Sequence, residues 1–124
     1  METAETQYRL EPSDPVTPEQ LYERQWALTL LDQVLARLQG QYTQDGKADL
    51  FVVLRPCLGG KREAQPYADL AARLGMTEGA VRVAVHRLRQ RYREVLRDQI
   101  AQTVCSPEEI EPEIQHLMRV LSGP

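Results

Sequence analysis

Apolar residues recur along this chain at intervals of three and four, the spacing that puts them on one face of an α-helix. Leu21, Ala27, Leu28, Leu31, Val34, Leu35 and Leu38 form the first such stripe and predict an amphipathic helix over 18–39. Thr17-Pro18-Glu19-Gln20 gives it a start: Thr17 can cap, Pro18 suits the first turn, and Gln20 sits where a capping box places its Glu or Gln. Gly40 is the expected stop, followed by a polar connection over 41–46. Ahead of it, residues 1–16 are polar, contain Pro12 and Pro15, and show no periodicity, so they read as a tail.

A shorter helix is expected over 49–58, with Leu50, Val53 and Leu54 inward and Gly59-Gly60 as its end. Val52 and Val53 would suit a strand, but no second strand is available to pair with one. After a basic loop over 61–65, a helix over 66–74 is stopped by Gly75. Another starts at Thr77 and runs to about 103, with Val81, Val85, Leu88, Tyr92, Val95 and Gln99 on one stripe. Ser106-Pro107-Glu108-Glu109 reads as a second capping box. It opens a final helix whose apolar face is Ile110, Ile114, Leu117, Met118 and Leu121, with Pro112 expected to distort its early turns. The pattern predicts an all-α fold of about five helices, divided into a tail (1–16), an amphipathic helix and connection (17–47), a central domain (48–104) and a C-terminal helix (105–124).

Residues 67–88 hold the features a helix-turn-helix requires. Ala71 is small enough for two helices to cross closely, and Gly75, four positions on, tolerates the positive φ that ends the first helix. Thr77 can cap the second helix, and Val81 is a branched apolar anchor six positions after the glycine. Leu70, Leu74, Val81, Val85 and Leu88 then supply a shared core.

Charge sharpens this picture. The net charge is −3, yet residues 61–97 carry nine bases and four acids, while residues 1–50 carry nine acids and four bases. With Val81, Val85, Leu88 and Tyr92 inward, the opposite side of the second helix presents Arg82, His86, Arg89 and Arg93, flanked by Arg87 and Arg91. Between Arg82 and Arg93 there are five arginines and no acid. A merely solvated helix face commonly mixes signs at i,i+4. Arginine pairs with phosphate and reads guanine O6 and N7 with two hydrogen bonds, so this face is expected to bind DNA.

Other classes find little support. No apolar run reaches the roughly 18–20 residues that span a bilayer, and METAETQYRLEP has neither the basic nor the apolar region of a secretion signal. Cys57 and Cys105 lack metal-ligand spacing and read as small buried or semi-buried residues. His86 is expected in a groove and His116 exposed on its helix, neither beside an acid or a nucleophile. Gly59-Gly60-Lys61 lacks the rest of a phosphate-binding loop. Trp26 and Tyr22 are expected to pack the first helix against the domain. The expectation is a cytoplasmic, non-enzymatic chain without cofactor or metal.

YADLAARLGMTEGAVRVAVHRLRQRY and the preceding ADLFVVLRPCL resemble region 4 of bacterial RNA polymerase sigma factors, especially the extracytoplasmic-function type, over residues 48–97. The resemblance implies that the second helix of the motif enters the major groove of a promoter −35 element during transcription initiation. It also implies docking on the flap of the polymerase β subunit. Base-facing positions then correspond to Arg82, Val83 and His86, with Thr77 capping the helix and Glu78 and Gly79 near its start. Arg87 and Arg89 match positions near phosphate, Arg91 and Arg93 continue the basic face, and Pro66 and Tyr67 open the preceding helix near the DNA backbone. The family's region 2 has no counterpart in residues 1–47, so the expectation is a C-terminal piece of a longer factor or a shortened relative. An anti-sigma protein is a further partner class, and a monomer is expected. Two other readings stay open: a stand-alone helix-turn-helix regulator, which would need a dimer, and a module whose amphipathic helices dock a protein partner.

Overall fold

The computed structural model describes residues 16–59 and 66–123. The expected tail up to residue 15 and the loop over 61–65 lie outside them. The described chain is all-α, with five helices: α1 (Pro18–Gln44), α2 (Ala48–Leu54), α3 (Tyr67–Leu74), α4 (Glu78–Ala101) and α5 (Ile110–Ser122). A 3-10 turn over Arg55–Gly59 extends α2, and another over Pro107–Glu109 leads into α5.

α1 begins as its sequence predicts. The Thr17 hydroxyl accepts from the Gln20 amide at 3.1 Å, and the Gln20 side chain accepts from the Thr17 amide at 3.0 Å. It does not stop at Gly40. A glycine within a helix weakens it by only about 1 kcal/mol, and burial of Tyr42 two residues later carries the helix on to Gln44. The chain turns instead at Gly46, whose φ of 76° only glycine adopts without strain.

The buried stripe of α1 is Ala27, Leu30, Val34, Leu38 and Tyr42. Leu21 and Leu28, expected inside, are 57% and 54% exposed, because the 3.6-residue period centres the buried face on Val34 and leaves them on its flank. In α2 the fully buried residues are Phe51 and Leu54, with Leu50 and Val53 packed at the edge. α4 contributes Val81, Val85, Leu88, Val95, Leu96 and Ile100. Over six turns its stripe drifts, so Ile100 takes the inward position expected of Gln99. Gln99 sits at the edge and is hydrogen-bonded to Arg37 and Gln33.

α1 runs antiparallel along α4. Arg37 reaches Asp98 at 2.9 Å near one end, and Asp45 reaches Arg91 at 3.1 Å near the other. α5 closes the bundle against both, burying Leu117 and joining Glu111 to Arg97 at 2.8 Å. Met118 and Leu121, expected on its apolar face, remain partly exposed. Its start also differs from a capping box. Ser106 makes no side-chain cap, and the Glu109 carboxylate accepts instead from the amide of Cys105 at 3.2 Å. Pro112 lies in the first turn of α5, where its missing N–H would have bonded back into the 3-10 turn.

Trp26 packs against the core and meets His116 with ring centroids 5.4 Å apart, whereas Tyr22 is 77% exposed. His116 is not a free surface residue: its Nε2 lies 3.3 Å from the Glu23 carboxylate, linking α5 to α1. Cys57 is buried and Cys105 exposed. No helix among the described residues is long and apolar enough to cross a membrane.

Candidate nucleic-acid interface

Three residues set the direction of α4. Gly75 ends α3 in the left-handed conformation, φ 68° and ψ 35°. Its amide and that of Met76 both turn back to the Ala71 carbonyl, satisfying the end of the helix. Thr77 then caps α4, its hydroxyl accepting from the Ala80 amide at 3.0 Å. Ala71, Leu70, Val81 and Val85 are buried beneath this turn, so two helices and a three-residue connection share one core. Pro66 is the cap position of α3 and exposed; Tyr67 is half-buried.

Only one stripe of the first half of α4 is consumed by that core. Glu78, Gly79, Arg82, Val83, His86, Arg87 and Gln90 are all exposed. At 100° per residue, Gly79, Val83, His86 and Gln90 form the crest farthest from Val81, with Arg82 on one shoulder and Arg87 on the other. Arg82 stands over the Tyr67 ring, 5.7 Å from its centroid, which steadies the guanidinium without consuming its hydrogen-bond donors. Among the described residues, the side chains of Arg82, His86, Arg87 and Arg93 make no hydrogen bond or ion pair.

Two expected members of the basic face turn inward. Arg89 donates through Nε and Nη2 to the Cys57 carbonyl at 3.3 and 3.1 Å, closing the 3-10 turn after α2. Arg91 is paired with Asp45 and lies over the Tyr42 ring, 5.0 Å from its centroid. The two positions lie on opposite flanks of α4, each meeting a different element, so their guanidinium groups hold the bundle together. The Cys57 thiol is pushed above its ordinary pKa by burial, with Arg89 opposing that shift in part. Burial likewise raises Tyr92.

The structure adds two residues to this surface. Gln90 continues the crest one turn beyond His86, a position the helical period alone could have supplied. Lys47 comes from the connection between α1 and α2 and lines an open cleft of about 320 Å³ together with Arg87, Gln90 and Arg91. No sequence signal links Lys47 to residues forty positions away. No group of three or more His, Cys, Asp or Glu among the described residues could hold a metal ion.

Compared with family models, curated proteins and solved structures, the chain matches none.

Proposed function

We propose that this chain binds duplex DNA sequence-specifically through the first half of α4, as region 4 of a sigma factor does at a promoter −35 element. The observation that carries the reading is the exposed set Arg82, Val83, His86 and Arg87, which has no intramolecular polar partner among the described residues. It stands on a helix whose start is fixed by Gly75 and Thr77.

The chemistry suits a groove. Arg82 can donate two hydrogen bonds to guanine, His86 can donate or accept at a base edge, and Val83 offers an aliphatic contact to a thymine methyl. Arg87 supplies charge toward phosphate. Acidic segments on either side weaken binding by the isolated chain, and tethering to RNA polymerase through the β-subunit flap raises the effective concentration at a promoter. Selection of duplexes from a random-sequence pool, repeated with Arg82→Ala, tests the reading: the wild type enriches a defined element, and the variant loses preference at one position.

A second reading has its own observation. Leu21, Tyr22, Leu28, Met118 and Leu121 are exposed apolar residues on α1 and α5, away from the basic half of α4. A protein-docking module would use these and leave α4 indifferent to DNA. A stand-alone regulator would bind DNA as a dimer, which sedimentation of the complex distinguishes from a monomer.

A further inference from the structure

The connection between α1 and α2 places Lys47 beside Arg87, on the shoulder of α4 opposite Arg82. Its position is fixed by backbone: the Lys47 amide donates to the Tyr42 carbonyl at 2.8 Å, and its carbonyl accepts from Phe51 at 3.1 Å as α2 begins. Lys47, Arg87 and Gln90 are all exposed and line the same cleft. Neither cation has an ion-pair partner among the described residues. Two carboxylates border the cleft. Asp45 is tied to Arg91, and Glu94 lies one turn along α4 from Gln90 and two turns, about 10 Å, from Arg87.

We infer that Lys47, Arg87 and Gln90 together hold one phosphate of the DNA backbone. Two cations on one cleft and an amide donor match a phosphodiester, with Lys47 acting as a point charge and Arg87 as a fork of donors. With the crest of α4 in a groove, this shoulder meets the strand that borders the groove. The contact sets register along the duplex and carries no sequence information. This inference rests on the DNA-binding reading above.

The test uses the full chain and the duplex enriched by wild type from a random pool. Lys47→Gln weakens binding about three- to tenfold and lowers the slope of log K against log salt by up to about 0.9, the value of one phosphate contact. Base preference stays unchanged. Neutral methylphosphonate linkages, introduced one at a time, identify one position at which Lys47→Gln costs clearly less than it does on the unmodified duplex. Lys47 is exposed, so the variant keeps its fold, which its thermal melt verifies.

A normal slope in Lys47→Gln, with Arg82→Ala still weakened, overturns the clamp and leaves the DNA reading standing. No enrichment of any duplex by wild type overturns both. A third arm uses inorganic phosphate alone at matched ionic strength. Phosphate that binds wild type but not Lys47→Gln, and leaves duplex affinity unchanged, makes the cleft a free-anion site and overturns its assignment to DNA.

Discussion

Arg91 and Asp45 lie 3.1 Å apart at the point where the end of α1 meets the middle of α4, and the Arg91 guanidinium also covers the Tyr42 ring. Arg87, one turn earlier on the same helix, has no such partner among the described residues. Two arginines of one basic run thus have different work. Arg91→Ala is expected to cost about 1 kcal/mol of stability, since partly exposed ion pairs and cation–π contacts are each worth about that or less. It leaves the salt dependence of DNA binding unchanged. Arg87→Ala leaves stability unchanged and lowers the salt slope by up to about 0.9. Chemical denaturation and binding titrations at several salt concentrations separate the two.

The turn before α4 makes a second prediction. A Cβ at Gly75 would meet nothing within 4 Å, so Gly75→Ala carries only the conformational penalty of φ 68°. That penalty is about 1–2 kcal/mol for an L-residue in the left-handed region. Gly75→Asn, which tolerates that region better, loses less. Equal losses for Ala and Asn in thermal melts would contradict this account of the turn.

α1 belongs to the same core as α4. Leu38→Ala is expected to destabilise the whole chain by about 2–5 kcal/mol, while Leu28→Ala, on the exposed flank of the same helix, changes stability by less than about 0.5 kcal/mol. Denaturant midpoints give both values directly.

The two thiols differ in kind. Cys105 is exposed and reacts rapidly with a thiol reagent, whereas Cys57 waits for local opening of the bundle. The raised pKa of Cys57 and Tyr92 also fixes a sign at alkaline pH. In the unfolded chain both groups lose protons at their ordinary values, while in the folded chain they keep them. Stability therefore falls as pH rises above about 9, and further above about 10. Cys57→Ala removes the first part of that fall, read from melts across the alkaline range.

The all-α class, the start of α1 and the turn at Gly75 were legible because each rests on local chemistry: a repeating period, a capping box, a residue that permits positive φ. What needed the folded chain was the phase of each stripe. A tally of apolar residues places Leu28 inside and passes over Leu30 and Phe51. Packing on α4 reverses those assignments, since neighbours decide which of several apolar residues at helical spacing is covered. The basic face was legible as a run of arginines. Its division was not, because the partners of Arg89 and Arg91 are Cys57 and Asp45, more than thirty residues distant in sequence. Lys47 was invisible for the same reason.

The most direct test of the central claim is sequence selection by the full chain from a random duplex pool, run in parallel with Arg82→Ala and Arg91→Ala. Wild type and Arg91→Ala should enrich the same element, and Arg82→Ala should lose discrimination at one base pair, worth about 1–3 kcal/mol. Identical enrichment by all three, or none by any, would contradict the assignment of α4 to base recognition.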